Sequence, residues 1–226
     1  MEIRKIAEIK NGYTEKFGIP RQSGLANSVI SRIVFEPEYR VKEAFRDIEG
    51  YSHLWLIWEF SKAVREDWSP TVRPPRLGGN KRIGVFATRS PFRPNPIGLS
   101  SVRLERVELD SPEGPVLYVS GADLLNGTPI YDIKPYLAYA DSHPDAVGGF
   151  TDRVDKRRVE VDFPEKIAKT LPQEIKAAVV DILSEDPRPA YHDDPKRIYK
   201  MIFDKYEFAF SVTDNTLTVT EVTKLQ

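Results

Sequence analysis

Cysteine is absent from this chain of 226 residues, and with it go disulfide frameworks, thiolate nucleophiles and Cys-ligated zinc. Histidine is nearly as scarce: His53, His143 and His192 are scattered with no metal-ligand spacing, so each reads as a packed or solvated side chain and no metal is expected. No apolar run approaches the roughly eighteen residues of a membrane span, and the opening MEIRKIAEIK lacks the apolar centre of a signal peptide, so the expected compartment is the cytoplasm and no membrane partner is expected. A formal charge of −1 is not that of a protein that coats nucleic acid indiscriminately. Missing too are G-x-G-x-x-G opening a helix, G-x-x-x-x-G-K-[ST], G-x-S-x-G and H-E-x-x-H, which sets aside the dinucleotide fold, the P-loop, the nucleophile elbow and the zinc protease helix.

What is present begins with an apolar fraction of 40%, enough for a real core in one large domain or in one domain with a smaller companion. Segments rich in Val, Ile, Leu and aromatics, separated by Gly, Pro and Asn, predict strands at 3–9, 29–35, 53–60, 84–87, 102–109 and 116–120, hence a mainly antiparallel sheet or barrel. SHLWLIWEF is apolar nearly throughout and reads as a central strand buried on both faces, with a short buried helix also fitting its composition. Val41 to Arg46 suits a short helix. After Pro144 the pattern changes: apolar residues at helical spacing predict helices over 165–171 and 173–184, DPRPAYHDDP must be a loop, and 200–203, 207–212 and 216–222 read as strands with a hairpin around Asp214-Asn215. The expected fold is mainly β with α+β: a β-rich domain over 1–146 and a smaller C-terminal α+β domain over 147–226.

Charge is distributed unevenly. Between Arg73 and Arg93 lie six basic residues and no acidic one, a local field suited to a phosphate-bearing substrate; arginines neutralised by carboxylates from elsewhere in the fold are the equal alternative. The stretch TVRPPRLGGNKRIGVFATRSPFRPNPIGLSS is pinned by proline and permits close backbone approach at glycine. Arg73, Arg76, Arg82, Arg89 and Arg93 offer planar guanidinium forks for phosphate or carboxylate, and Asn95 both donates and accepts. Against a mere surface crossover, five arginines are a poor choice for a structural loop. Pro20-Arg21-Gln22 adds a guanidinium and an amide. NGTPIYDIKPY places Asp132 and Lys134 on one side of an extended segment, as a proton acceptor between tyrosines or as a plain surface ion pair. Asp186 to Tyr191 joins an arginine and a tyrosine to fixed turns. The residues alone give a cationic pocket without metal or covalent nucleophile, its reaction unnamed.

RPPRLGGNKRIGVFATRSPFRPNPIGLS, together with PRQ at Pro20 to Gln22, YSHLWLIWEF from Tyr51, DLLNGTPIYDIKPY from Asp123 and DPRPAY from Asp186, resembles the TsaA-like (TrmO, YaeB) family. The resemblance implies a single-sheeted antiparallel β-barrel, a homodimer, and an S-adenosyl-L-methionine-dependent tRNA methyltransferase acting on N6 of threonylcarbamoyladenosine at position 37 (t6A37 to m6t6A37), beside the anticodon of threonine tRNA. Carried over residue by residue, it implies cofactor contacts at Pro20, Arg21, Gln22, Arg89 and the strand end Gly121, Ala122, Asp123 and Leu124. It also implies Ser61 and Lys62, where this sequence departs from a histidine in the family pattern. For tRNA the resemblance and the charge point to Arg73, Arg76, Arg82, Arg93, Arg188 and Tyr191. The N6 proton is expected to pass to Asp132, or to a carbonyl or water held near Asn95. Two rivals stand beside this: a non-catalytic RNA-binding module that holds S-adenosylmethionine, and a small-molecule methyltransferase of the same fold.

Overall fold

A computed structural model describes residues 2–64, 67–74, 81–153, 158–188 and 194–225. Six strands close a barrel: β1 (Ala7–Lys10), β2 (Ile30–Phe35), β3 (His53–Glu59), β6 (Ile97–Ser111), β7 (Gly114–Ser120) and β8 (Pro129–Pro135), in the order β1-β2-β7-β6-β3-β8. All of its pairings are antiparallel. β6 makes closure possible, because its first half pairs with β3 (Glu59↔Ile97 to His53↔Arg103) and its second half with β7 (Arg103↔Ser120 to Ser111↔Gly114). Its register shifts supply the coiling that a small barrel needs. Alternation fills the interior with Ile9, Ile33, Leu54, Leu56, Leu117 and Ile130, all at or near zero exposure. Between β3 and β6 a two-stranded ribbon, β4 (Thr71–Val72) and β5 (Ile83–Gly84), projects from the barrel.

After α1 (Ala138–Asp141) a second sheet forms in the order β10 (Tyr199–Phe203), β11 (Tyr206–Thr213), β12 (Thr216–Lys224), β9 (Glu160–Asp162), with β9 parallel to β12. Two helices precede β10: α2 (Glu165–Ala168) and α3 (Gln173–Ser184). α3 starts behind Pro172, buries Ala178, Val179, Ile182 and Leu183 against the sheet, and stops where Asp186 turns left-handed (φ 47°) before Pro187. This core is not purely C-terminal, for Tyr13, Ala26 and Val29 from the connection between β1 and β2 are buried in it.

The fold class is the expected one, a closed antiparallel barrel with a smaller C-terminal α+β part. Individual elements differ. The first strand begins at Ala7, not Ile3, because β2 offers partners only from Phe35 to Arg32 before Pro37 ends it. Residues 42–45 make a 3-10 turn, and of 84–87 only Gly84 is in a strand, since Val85 turns to bond Pro70. The helix expected over 165–171 tightens after Ala168 into i→i−3 bonds at Thr170 and Leu171, ahead of Pro172. β3 is not buried on both faces: Leu54, Leu56 and Trp58 point inward while Trp55, Ile57 and Glu59 stay half-open, because a single-sheeted barrel has only one dry side. β8 and β9 were not foreseen, and residues 97–101, expected as loop, are the start of β6.

Candidate active site

The connection from Asn11 to Val29 is the site's floor, and it is bonded on two sides. Toward the barrel, the Asn11 side chain donates to the Leu124 carbonyl (2.9 Å), Asn126 N–H donates to the Tyr13 carbonyl (2.8 Å), and Gly24 N–H donates to the Gly121 carbonyl (2.8 Å). Gly121 must be glycine: its φ is +74°, and a Cβ there would lie 2.8 Å from Asn27 Oδ1 and 3.2 Å from the Gly24 backbone. Toward the C-terminal part, Asp204 N–H bonds the Gly12 carbonyl (2.7 Å), Ile202 N–H bonds Glu15 (2.8 Å), and Ser28 N–H bonds Asp181 (2.8 Å). Arg158 donates to the Leu25 carbonyl (3.2 Å) and Arg21 to the Arg188 carbonyl (3.1 Å). Pro20 is buried in this clamp while Arg21 and Gln22 stand exposed above it.

Against this floor lies a polar chain that begins inside the barrel. Gly98 opposes Trp58 in the β3–β6 register, and a Cβ on Gly98 would come within 2.3 Å of the indole, so the ring lies flat where a side chain would be. The indole N–H donates to Ser100 Oγ (3.0 Å), and the Ser100 hydroxyl donates to Asp123 Oδ1 (2.5 Å). Burial pushes the Asp123 carboxyl above the usual aspartate range; the Ser100 hydroxyl, backbone N–H groups and the Arg89 guanidinium pull the other way. Arg89 donates to Gln22 Oε1 (2.5 Å). Gln22, Arg89 and Asp123, which are far apart in sequence, thus converge where the barrel end meets the 20–24 turn. Tyr13 sits beneath with its hydroxyl buried and its ionisation pushed up by that burial and by the charges of Asp123 and Asp181.

The neighbouring expectations are placed as follows. Ser61 and Lys62 form an exposed turn directly after β3, and the Lys62 carbonyl accepts from Lys16 (3.0 Å), which ties this turn to the same floor. Asn95 is exposed where the loop rejoins β6: its carbonyl accepts from Ile97 N–H (2.7 Å) while the adjacent Pro96 carbonyl accepts from Phe60 N–H (2.8 Å). Ala122 and Leu124 are fully buried, so any cofactor contact there is through backbone. Asp132 is not brought to the cluster. It faces outward beside Ile57 on the wall of the barrel, its carboxylate 2.8 Å from Lys134 and bonded to its own strand at Ile133 N–H (2.9 Å).

Among the tRNA candidates the structure draws a distinction that charge counting misses. Arg73 is exposed, and Arg82 is exposed with one nitrogen on Thr71 Oγ1 (2.9 Å). Arg93 is half-buried and leans on the carbonyls of Thr88 (3.3 Å) and Val85 (3.5 Å), so it braces its own loop. Arg188 has a side chain only 12% exposed and forks onto both oxygens of Asp186 (2.8 and 2.9 Å), which is the work of a turn clamp rather than of an open phosphate contact. Arg76 and Tyr191 lie outside the described residues. Sequence reasoning missed Trp58, Ser100 and Tyr13 as members of the site. The small Gly98 and Ser100 alternating opposite a tryptophan strand were the available signal; Tyr13 offered none, because its neighbours come from the C-terminal sheet.

The tRNA-methyltransferase O N-terminal domain model matches residues 8–142, and the TrmO C-terminal domain model matches residues 156–225. Over 222 residues the chain is 39% identical to an Escherichia coli (strain K12) protein named tRNA (adenine(37)-N6)-methyltransferase, covering 94% of each chain. An Eikenella corrodens protein of the same name is 48% identical over 164 residues, 72% of this chain and 92% of that one. The crystal structure of TrmO from Pseudomonas aeruginosa superposes with a TM-score of 0.79 at 32% identity, over 99% of this chain and 98% of that one.

Proposed function

Because the chain belongs to the tRNA-methyltransferase O family, we propose that it is an S-adenosyl-L-methionine-dependent tRNA (adenine(37)-N6)-methyltransferase, and specifically that it converts t6A37 to m6t6A37 in threonine tRNA. The observation that carries this reading is the convergence of Gln22, Arg89 and Asp123 on a floor held by Gly24 and Gly121, beside an exposed cationic loop. The donor set fits the cofactor. Guanidinium groups of Arg21 and Arg89 suit a carboxylate, the Asp123 carboxylate suits hydroxyl or ammonium groups, and the Gln22 amide and glycine backbone suit a base edge. When bound, the cofactor supplies an electrophilic methyl on a sulfonium.

The chain's own contribution is alignment and charge placement. The bonds that fix residues 11–29 and the prolines of residues 91–96 hold the site before substrate arrives, so little conformational freedom is lost on binding. The N6 proton becomes strongly acidic as the new bond forms, so a weak acceptor suffices. We place it with a water held at Asn95, which is exposed where the loop rejoins β6, rather than with Asp132, which lies on the outer wall and is engaged by Lys134. Residues 1–146 would hold the cofactor and 147–226 would brace it and contact tRNA, with two copies forming the working unit.

The experiment is to incubate the protein with methyl-labelled S-adenosylmethionine and bulk tRNA from cells lacking the gene. Label in threonine tRNA, lost in Arg89→Ala and kept in Asp132→Asn, supports the proposal as stated. Binding without transfer to any RNA would overturn it, as would transfer only to small metabolites. Loss of turnover in Asp132→Asn with cofactor binding intact would return the proton to Asp132.

A further inference from the structure

Two large aromatic side chains stand exposed on the connection that leads into the site. Trp68 is 48% exposed and Phe86 is 74% exposed, and their rings lie stacked, 27° apart in plane with centroids 6.0 Å apart. The backbone beneath them is fixed. β4 and β5 pair through Thr71↔Gly84 and Val72↔Ile83, and Val85 N–H donates to the Pro70 carbonyl (3.0 Å), which brings the two rings to the same end of the ribbon. Val85 is buried and anchors the 3-10 turn 85–87, whose end is fastened by Thr88 Oγ1 on the Val85 carbonyl (2.8 Å) and by Arg93. Phe86 is therefore held out into solvent by a rigid support, two residues before Thr88-Arg89 leads into the cluster described above.

From Trp68 to Leu104 the sequence holds seven basic residues and no acidic one, although Asp67 stands just outside. Arg73 and Arg82, both exposed, stand just beyond the paired residues of β4 and β5, five residues from Trp68 and four from Phe86, about 13–17 Å at strand spacing. Rings that present a face, with long guanidinium side chains exposed on the same ribbon, suit the alternation of base and phosphate in a single strand. A second copy of this chain fits the same surface poorly, because a two-fold contact would bring the same cationic patch of both copies together.

We infer that Trp68 and Phe86 form a stacking platform for an unpaired base of the substrate RNA loop, with Arg73 and Arg82 on the adjoining phosphates. The platform rests on the proposed function, and it defines what the enzyme reads beside the modified base: an accessible base face, without hydrogen-bond selection.

Two RNAs test it, an anticodon stem-loop transcript and the same stem closed as a duplex, both bound without cofactor at fixed salt. Phe86→Ala and Trp68→Ala should each weaken the stem-loop by about tenfold, within the range for losing one base stack. Phe86→Tyr should stay within about twofold of the parent, and duplex affinity should not move. Stem-loop binding should quench tryptophan emission in the parent and not in Trp68→Leu. Unchanged stem-loop affinity in both alanine variants would overturn the platform, and so would unchanged affinity with a fall in sedimenting mass, which would assign the rings to a contact between copies. A parent protein that binds S-adenosylmethionine but neither RNA would overturn the proposed function, and the platform with it.

Discussion

Residues 11–29 and residues 60–96 are both long connections rich in turn-formers, and both carry cations toward the same end of the barrel. The first is bonded to β7 and β8 approaches on one side and to the C-terminal sheet and α3 on the other, and it buries Tyr13, Ala26 and Val29 in the second core. The second, among its described residues, leans mostly on itself, through the β4–β5 pairs, Thr88, Ser90 and Arg93, and leaves Trp68 and Phe86 exposed. One loop is fixed by tertiary packing, as a cofactor floor must be; the other is fixed by proline and local bonds, which keeps its outer surface available for a large substrate.

The sharpest way to break this contrast is Phe203→Ala. That ring is buried, meets Tyr13 edge-on at 5.5 Å, and covers Gly12 so closely that a Cβ there would be 2.6 Å from it. Removing it should cost about 3–5 kcal/mol in denaturant unfolding. Cofactor affinity measured by calorimetry should fall as well, although Phe203 is remote in sequence from every cofactor candidate. A full loss of stability with unchanged cofactor affinity would show that the floor holds without the C-terminal core.

Asp123→Asn is the intermediate case. A carboxyl whose folded value is raised binds its proton more tightly folded than unfolded, so ionising it weakens the fold above that raised value, and the penalty fades as pH falls through it. The asparagine variant should therefore melt higher than the parent at neutral pH, with the gain shrinking in acid. Cofactor binding, to which the proposed function assigns the carboxylate, should weaken; in the parent, affinity should begin to fall at a pH above the ordinary aspartate range. An asparagine variant that melts lower at neutral pH would mean that the hydrogen bonds outweigh burial at this site. The smallest effect belongs to Arg82→Ala and Arg73→Ala. Stability should stay within about 0.5 kcal/mol, while the slope of log affinity for tRNA against log salt flattens by about 0.7 for each arginine removed. An unaltered slope would remove these two residues from the RNA surface.

Local pattern placed strands well in both sheets wherever a strand's own residues alternate or its ends are set by Pro, Gly or Asp: β2, β7, β11 and the hairpin at Asp214 are where sequence places them. It failed where a partner decides. β1 is short because β2 runs out at Phe35; β8 was obscured by a turn-rich, charged segment whose outward residues, Asp132 and Lys134, read either as a proton acceptor or as the surface ion pair that they form. The cationic stretch was legible as charge, but charge does not say that Arg93 and Arg188 are turned onto their own loops while Arg73 and Arg82 are open.

By itself the sequence determined a mainly β chain with an α+β companion, without cysteine and with little histidine, and the segments from which the candidate site is drawn, because composition and periodicity are properties of neighbouring residues. Only the tertiary structure decided that Gln22, Arg89 and Asp123 meet, that Trp58 and Ser100 hold Asp123 from inside the barrel, and that the C-terminal sheet grips the loop that carries Arg21. Those contacts join residues that barrel closure and domain docking bring together, and no local rule of spacing records them.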